Sequence, residues 1–496
     1  MKDDTIYILN PIYDIKRDRN RPVLFYRDAN SKNENFIGII HPVYAIIFSF
    51  FDGSNRLADV IETASSVLRI ELSVMRNLIS KMIGNDDVLH FDYDGSHFVL
   101  PKDVLVERTP EHTVSKYNPR DFFIPKNELD VSKWRLNSPL DAVFMINTLC
   151  YTDCIYCYAD RSKRIDCKIP FERLKELIAE AKNLGMRSID FTGGELFKYR
   201  HWQQLLAELV NNGFNPYLST KCPLDRETVA RLKDTGLTRI QISIDSIVKE
   251  ELVRMLNVKE DYYDRLLETF KLLDDSGFDI FTNTQLTSIN MDNIKELVDF
   301  LLALKNIKRI NIGAASFSLY KGEKNFLEYK PSLERLKEIE NYVNDCKDKY
   351  ADRVELNFSG YLEGDKTVGV EEGEKRKNFY ERANCSGNFY AFVILPDGQV
   401  TICEELYWHP AFIIGDLKKQ SIEEVWNSKR ALELYNLSRD SVQAESPCKS
   451  CGEFDDCHKF KGVCWKEILY AYGFENWDYP DPKCPYAGMP KRQYYL

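Results

Sequence analysis

The sequence predicts an α/β protein in which a central parallel sheet follows a small N-terminal module and precedes a cysteine-rich C-terminal region. Strand-like and helical patterns alternate six times between residues 142 and 348, as they do in chains of β/α units. The 13 cysteines are clustered, with three in residues 150–157 and seven in residues 385–484. A chain of 496 residues has room for about three domains.

The first hundred residues predict a winged helix-turn-helix module. Short β-type segments precede three helical patterns, and a hairpin follows around the turn Asp94-Gly95, a dipeptide typical of tight two-residue turns. We therefore expect a first domain at residues 1–101. Residues 102–140 contain four prolines and many polar side chains, which predicts a linker on the surface.

The central region, residues 141–360, predicts six β/α units. The predicted strands are 142–148, 187–192, 215–220, 238–244, 278–286 and 307–313. The predicted helices are 170–184, 202–212, 225–235, 260–276, 291–305 and 331–348. Such a series forms either an open doubly wound sheet or an incomplete barrel, with functional groups where strands end. A charged segment, 361–384, then connects to the cysteine-rich region, 385–496.

Charge and composition exclude several classes of partner. The net charge is −10, and residues 57–90 of the first module carry five acidic against three basic residues, which disfavours binding to nucleic acid. No apolar stretch is long enough to span a bilayer, and the first residues lack the pattern of a signal peptide. Clustered thiols in a reducing compartment usually hold metal. We expect a cytoplasmic protein without a membrane partner.

Three cysteines form a metal-binding loop directly after the first predicted strand of the β/α series. Cys150, Cys154 and Cys157 have the spacing CxxxCxxC. Three thiolates on a tight loop hold three irons of a [4Fe–4S] cluster and leave the fourth open to a small molecule. The alternative is a structural zinc loop, but three cysteines with no fourth nearby make a poor closed zinc site.

Polar residues follow two of the next predicted strands. Gly193, Gly194 and Glu195 come after the second strand, where glycines let the backbone approach a ligand and the carboxylate can accept from an ammonium group. Ser243 and Asp245 share one face of the fourth strand and offer a hydroxyl and a carboxylate to a sugar. Taken alone, each motif has a plain structural alternative, a turn or a polar strand end.

Together these residues resemble the radical S-adenosylmethionine (radical SAM) superfamily over residues 142–315, with Tyr156 as the aromatic residue of its CxxxCxΦC signature. The resemblance implies a partial (β/α)6 barrel whose open iron is chelated by the amino and carboxylate groups of S-adenosylmethionine. It places Gly193, Gly194 and Glu195 at the methionine moiety, and Ser243 and Asp245 at the ribose. Arg254 falls where relatives often have an arginine near this cofactor.

The C-terminal cysteines resemble the SPASM domain, whose relatives carry two auxiliary [4Fe–4S] clusters. By analogy one cluster is bound by four thiols, those of Cys448, Cys451, Cys457 and Cys484. The other is bound by three, those of Cys385, Cys403 and Cys464. A substrate thiolate is the first expectation for its fourth ligand, and Cys346, a carboxylate or water is the alternative. The spacing before Cys464 is six residues where three is usual, and a pair of structural zinc sites is the alternative for the whole set.

The N-terminal module is similar to the peptide-recognition elements of pathways that modify ribosomally made peptides, in which a leader peptide adds a strand to a sheet edge. The combined resemblance implies a peptide maturase. A 5′-deoxyadenosyl radical abstracts a substrate hydrogen, and oxidative crosslinking follows, with a thioether from cysteine as the first expectation and a carbon–carbon bond as the second. An electron donor such as flavodoxin or ferredoxin is implied. Two alternatives stay open: an enzyme of the same superfamily acting on a folded protein or small molecule, and a non-catalytic zinc-binding interaction protein.

Overall fold

The computed structural model describes residues 2–29, 36–93, 95–132, 134–160, 162–360, 372–381, 385–460 and 463–487. The chain divides into two compact units, Met1–Leu140 and Asp141–Leu496, and each has a hydrophobic core of its own. Among the helices in these ranges, none combines the length and apolar character that crossing a bilayer requires.

The N-terminal unit combines three helices with short antiparallel sheets. Its strands are β1 (Tyr7–Leu9), β2 (Tyr13–Arg17), β3 (Pro22–Tyr26), β4 (Ile37–Ile39), β5 (Leu89–Tyr93), β6 (Ser96–Leu100) and β7 (Leu105–Glu107), and its helices are α1 (Pro42–Ser49), α2 (Leu57–Leu68) and α3 (Leu72–Met82). Strands β2, β3 and β4 form one antiparallel sheet, β5 and β6 form a hairpin, and β1 pairs with β7. Asp94 of the predicted hairpin turn lies outside the described residues, while Gly95 has a φ of 76°, as such a turn requires.

The segment 102–140, expected to be a surface linker, falls within the N-terminal unit. Strand β7 lies in this segment. Three apolar residues of the segment are buried, namely Leu105, Phe122 and Leu136. The buried Asp18 carboxylate accepts hydrogen bonds from the backbone N–H groups of residues 137 and 138, each at 2.8 Å. The apolar residues that anchor the segment are too irregularly spaced to give a periodic pattern. The polar, proline-containing composition of the segment therefore predicted a linker, although the segment packs onto the N-terminal unit.

The second unit begins with the alternating strands and helices. They are β8 (Asp141–Met145), α4 (Phe171–Asn183), β9 (Ser188–Thr192), α5 (Trp202–Asn211), β10 (Ser219–Thr220), α6 (Arg226–Asp234), β11 (Arg239–Ser243), α7 (Lys249–Leu256), α8 (Asp261–Asp275), β12 (Asp279–Leu286), α9 (Ile294–Leu302), β13 (Ile307–Ala314), α10 (Glu323–Tyr329), α11 (Leu333–Tyr350) and β14 (Glu355–Ser359). The helices are amphipathic: α4 buries Leu174, Leu177, Ile178 and Ala181, which lie on one face at helical spacing.

The strand order distinguishes an incomplete barrel from a doubly wound sheet. Strands β10 to β14 are parallel neighbours in the order of the chain, and β8 is parallel to β9. A parallel bridge between Phe191 and Leu218 joins the two groups. A doubly wound sheet reverses its strand order at a switch point, and this series does not, so it is an open arc of the barrel type.

The cysteine-rich region extends the same arc. Its elements are α12 (Glu372–Glu381), β15 (Ala391–Ile394), β16 (Gln399–Thr401), β17 (Ile413–Asp416), α13 (Ile422–Trp426), α14 (Lys429–Tyr435), α15 (Phe454–Phe460) and α16 (Trp465–Tyr472). Strand β15 pairs in parallel with β8, and β16 and β17 follow in antiparallel order. Barrel and cysteine-rich region therefore share a sheet and a hydrophobic core.

Candidate active site

The cysteine loop, residues 150–157, leaves the carboxyl end of β8 and is held by two helices that the sequence did not predict. The backbone N–H of Asp153 donates to the carbonyl of Leu256 at 2.8 Å, and that of Ile155 donates to Met255 at 2.9 Å. These carbonyls end α7, where they have no partner within the helix. From α10, the Asn325 side-chain amide donates to the Ile155 carbonyl at 2.9 Å. The loop is therefore fixed from both sides.

The Gly-Gly-Glu turn packs directly against the start of this loop. Gly193 and Gly194 have φ values of 64° and 50°, which favour glycine, and a Cβ on Gly194 would overlap the Asn147 side chain. The fully buried Asn147 side chain accepts from the N–H of Glu195 at 3.0 Å and donates to its carbonyl at 2.8 Å. It also accepts from the N–H of Leu149 at 3.0 Å. Asn147, not singled out in the sequence, thus couples the two motifs.

Glu195 is a buried carboxyl group at the end of β9. Its oxygens accept from the Thr220 hydroxyl at 2.8 Å and from the N–H of Phe197 at 3.2 Å. Burial raises the pKa of Glu195 to about 7 even though these hydrogen bonds lower it. A bound cation such as an ammonium group would favour the ionised form. The predicted contact with the methionine moiety stays a prediction.

Asp245 joins the cysteine loop to the end of β11. The Tyr156 hydroxyl donates to its carboxylate, Lys221 forms an ion pair with it at 2.8 Å, and the N–H of Gln285 donates to it at 2.8 Å. The Asp245 carboxylate is fully buried and already bound by these protein groups. Asp245 thus contacts Tyr156, the aromatic residue of the cysteine motif, directly. Its predicted contact with the ribose stays a prediction.

The two other predicted cofactor residues differ in their surroundings. Ser243 is buried on β11, and its hydroxyl accepts from the Gln241 amide at 2.9 Å. Arg254 lies on the exposed side of α7, the helix whose carboxyl end binds the cysteine loop. Ser243 thus lies on the sheet, and Arg254 lies on the helix that holds the cysteine loop. Their predicted roles at the cofactor remain predictions.

The donor set of the loop fits an iron–sulfur cluster better than a single metal ion. In the described part of the chain, no three His, Cys, Asp or Glu side chains are grouped closely enough to bind one ion. A [4Fe–4S] cluster separates its thiolates more widely because each binds a different iron. Cys154 is buried while Cys150 and Cys157 are partly exposed.

Four cysteines of the C-terminal region line one cavity, namely Cys448, Cys451, Cys457 and Cys484. Burial, together with the neighbouring thiols, raises the pKa of Cys448 and of Cys457 to about 12. Buried thiols that repel one another's ionised forms lose their protons readily only when a metal compensates the charge. The cavity therefore brings together the four thiols that the predicted four-thiolate cluster needs.

The second predicted set, Cys385, Cys403 and Cys464, is also brought together. Burial raises the pKa of the Cys403 thiol, and the nearby Cys385 contributes to the rise. Burial likewise raises the pKa of Cys464 to about 12, again with Cys385 among its neighbours. Cys385 itself is exposed. These contacts group the three predicted ligands near one end of β16.

The cysteine loop and the auxiliary region meet through the residues that follow their cysteines. The hydroxyl of Tyr158, next to Cys157, donates to the Glu404 carboxylate, next to Cys403, at 3.4 Å. The same hydroxyl lies 3.4 Å from that of Thr192 at the end of β9. This contact links the residue that follows Cys157 with the residue that follows Cys403.

Comparisons with known proteins agree with this arrangement. The model of the radical SAM superfamily matches residues 145–304, and that of the SPASM iron–sulfur cluster-binding domain matches residues 385–452. The antilisterial bacteriocin subtilosin biosynthesis protein AlbA of Bacillus subtilis is 23% identical over 378 residues, covering 75% of this chain and 74% of that protein. The PqqA peptide cyclase of Bradyrhizobium diazoefficiens is 22% identical over 328 residues, covering 63% and 78%.

Solved structures show the same fold. Streptococcus suis SuiB bound to S-adenosylmethionine matches with a TM-score of 0.62 and 18% identity, covering 98% of this chain and 99% of that one. SuiB bound to the precursor peptide SuiA also matches with a TM-score of 0.62, covering 96% and 99%. The cofactors of the two matched domains are [4Fe–4S] clusters and S-adenosylmethionine. This chain is a radical SAM superfamily enzyme that carries a SPASM iron–sulfur cluster-binding domain.

Proposed function

We propose that this enzyme oxidatively crosslinks a ribosomally made precursor peptide and forms a thioether bond from a cysteine. The single observation that carries the proposal is the contact between Tyr158 and Glu404, because it brings the predicted radical-forming loop beside a predicted auxiliary centre. The similar proteins include a subtilosin biosynthesis protein, a peptide cyclase and an enzyme solved with its precursor peptide, which supports a peptide as the substrate.

We assign the residues as the sequence predicts. The proposed ligands of the first cluster are Cys150, Cys154 and Cys157; those of the auxiliary clusters are Cys448, Cys451, Cys457 and Cys484, and Cys385, Cys403 and Cys464; the proposed cofactor contacts are Gly193, Gly194, Glu195, Ser243, Asp245 and Arg254. The domain bounds 141–360 and 385–496 are proposed with them.

Forming a thioether removes one hydrogen atom from a substrate carbon and one proton and one electron from the cysteine thiol. When bound at Cys150, Cys154 and Cys157 and at the auxiliary cysteines, the cofactors would supply both oxidising equivalents, S-adenosylmethionine as the source of the hydrogen-atom acceptor and an auxiliary cluster as the electron acceptor. This chain's residues hold the loops that carry these groups. Asn147, Tyr156 and Asp245 fix the cysteine loop against β9 and β11, and Tyr158 fixes it against the auxiliary region.

The test uses a cysteine-containing candidate precursor peptide, with anaerobically reconstituted enzyme, S-adenosylmethionine and reduced flavodoxin. The product is expected to weigh two hydrogens less than the peptide for each crosslink and to lose one alkylatable thiol. The matched control replaces Cys385, Cys403 and Cys464 with alanine together, which should leave cofactor cleavage but stop crosslinking. Formation of 5′-deoxyadenosine with an unchanged peptide thiol would contradict the proposal.

We further propose that residues 1–101 form a winged-helix domain that binds the leader segment of the peptide. Helices α1 to α3 precede the β5–β6 hairpin, and β4 pairs with β3 but with no other strand of the described residues. A free edge of this kind can accept an added strand. The Phe36 carbonyl accepts from the Tyr26 N–H of β3 at 3.0 Å, and the Ile40 N–H donates to the Pro22 carbonyl of β3 at 3.1 Å. The alternation of strand hydrogen bonds therefore leaves the N–H of Ile39 for the free edge.

Replacement of Ile39 by proline removes this N–H and is expected to weaken leader binding at least tenfold, measured by fluorescence anisotropy of labelled leader on the full chain. Ile39→Val keeps the N–H and should bind as the wild type does. Equal binding by the proline and valine variants would argue against this edge. We also propose flavodoxin or ferredoxin as the electron donor and the cytoplasm as the location, because clusters and clustered thiols persist in a reducing compartment.

A further inference from the structure

The inner face of strands β11 to β14 is polar at almost every position. The strand registers place Ser243, Asn283, Asn311 and Asn357 in one row across the four strands. The row toward the amino ends holds Gln241, Phe281, Arg309 and Glu355, and the row toward the carboxyl ends holds Gln285, Gly313 and Ser359. The interior of a closed barrel is packed with branched apolar side chains, so this face is built for another purpose.

The opposite face of the same strands forms the core. Ile310 and Ile312 of β13 and Leu356 of β14 are each at most 2% exposed and belong to the same core as Leu297 of α9 and Leu336 of α11. The asparagines between them are only partly buried. Because side chains of a strand alternate between its two faces, the asparagine row lies on the face turned away from these helices.

The three asparagines form an ordered amide ladder, by which we mean Asn283, Asn311 and Asn357. The Asn357 amide donates to the Asn311 oxygen at 2.9 Å, and the Asn311 amide donates to the Asn283 oxygen at 2.9 Å. Each amide nitrogen carries two hydrogens and each oxygen two lone pairs. The bonds between rungs therefore fix the orientation of the amides while leaving hydrogen-bonding capacity on Asn311, the middle rung.

The charges on this face are neutralised by one another. Arg309 pairs with Glu355 at 2.8 Å, its guanidinium also lies 5.4 Å from the Phe281 ring, and Asp245 pairs with Lys221. Above the amide ladder, a Cβ on Gly313 would come within 2.9 Å of the Ser359 hydroxyl. The surface is therefore polar and close to neutral. On β13 the position that follows Asn311 on this face is Gly313, which has no side chain.

We propose that the amide ladder binds the main chain of an extended, uncharged segment of the peptide substrate. A carboxamide presents a donor and an acceptor side by side, as a peptide group does, and so pairs with main chain of any sequence. Three rungs on neighbouring strands span about 10 Å, the length of about three extended residues. A charged side chain in that segment would lose water without gaining a counter-charge. This inference rests on the proposed function, since it takes the substrate to be a peptide.

The experiment measures binding, not turnover, on the full reconstituted chain with S-adenosylmethionine present. Three tritiated peptides are compared by equilibrium dialysis: acetyl-Gly-Ala-Ser-Ala-Gly-Ala-amide and the versions with Lys or Glu in place of Ser. The neutral peptide should bind at least tenfold more tightly than either charged one. Asn311→Leu should weaken its binding about tenfold, as the loss of a pair of hydrogen bonds predicts, and Asn311→Asp should reverse the preference in favour of the lysine peptide.

Lys308→Ala is the matched control, because Lys308 lies on the same strand but in none of the three rows, with its side chain 46% exposed and paired with Asp279. It should change binding less than twofold. Equal binding of the three peptides, no binding of the neutral one, or unchanged binding by Asn311→Leu would overturn the inference. Failure of the proposed crosslinking is separate, since it would appear as absent product while this pattern of binding persists.

Discussion

Single residues at the ends of β8 and β9 decide the local geometry of the candidate active site. Gly194 has a φ of 50° and lies against the Asn147 side chain and carbonyl. The sequence predicted that the two glycines let backbone approach a ligand; the structure gives them a second role, close packing onto the start of the cysteine loop. The role of Asn147 could not be predicted from one sequence, because Glu195, its partner in the Gly-Gly-Glu turn, is 48 positions away in the chain.

Gly194→Ala is expected to destabilise the protein by about 2 kcal/mol and to weaken binding of S-adenosylmethionine, because the added methyl group must displace Asn147. The control is Gly277→Ala, where φ is 73° but nothing lies within 4 Å of the added carbon, so that only backbone strain is introduced, at about 1 kcal/mol. Calorimetric binding and chemical unfolding measure the two effects. Equal cofactor affinity in both variants would contradict the packing role.

Glu195 gives the protein a characteristic dependence on pH. Burial raises its pKa from 4.5 to about 7, so the folded state holds a proton that the unfolded state releases. The stability from this proton is complete below pH 4.5 and is lost as the pH rises to about 7. The difference corresponds to about 3 kcal/mol.

Replacing Glu195 with glutamine should remove this loss. In urea unfolding without S-adenosylmethionine, the wild type should lose stability relative to Glu195→Gln between about pH 4.5 and about pH 7. Glu208→Gln, which changes a partly exposed carboxylate on helix α5, is the control and should follow the wild type. Parallel pH profiles for wild type and Glu195→Gln would show that the buried carboxyl is not the titrating group.

At the scale of elements, the long periodic helices and alternating strands of the barrel follow from the sequence, and most bounds agree to within a few residues. Three short elements, α7, α10 and β14, were not predicted, because a segment of fewer than nine residues shows little periodicity. The pairing of β15 with β8 is a contact between segments about 250 residues apart, which no local pattern encodes. The same holds for the Tyr158–Glu404 contact, although each residue follows a predicted ligand.

The shared sheet predicts that the barrel will not fold without the cysteine-rich region. A chain ending at residue 384 leaves β8 without β15, its neighbour on one side, and removes the carbonyls of Leu417 and Gln420, which accept from Arg173 at 3.0 and 2.9 Å. We expect this chain to aggregate or to be digested rapidly in limited proteolysis.

The control for the truncation is the full chain with Cys385, Cys403 and Cys464 replaced by alanine, which loses a proposed cluster but keeps β15. It should resist proteolysis as the barrel of the wild type does. A chain of residues 1–384 that is protease-resistant and still cleaves S-adenosylmethionine would show that the barrel is an independent domain.

At the scale of the whole molecule, the candidate ligands could be predicted from the sequence because the spacing of cysteines is a local signal. The way in which these groups are brought together in space is not encoded by any local pattern. The four thiols around the C-terminal cavity come from positions as far apart as 448 and 484, and a resemblance to a known domain, rather than periodicity, predicted their grouping. The linker expected at 102–140 shows the converse, since composition alone did not reveal the buried residues that tie it to the N-terminal unit.

The most direct test of the account is the iron content and cofactor cleavage of the full chain beside the variant in which Cys150, Cys154 and Cys157 are all alanine. Anaerobically purified wild type should contain about twelve irons per chain and the variant about eight, and only the wild type should form 5′-deoxyadenosine with a reductant. Stoichiometric zinc in place of iron, or 5′-deoxyadenosine formation by the triple variant, would contradict the claim that this loop holds the radical-forming cluster.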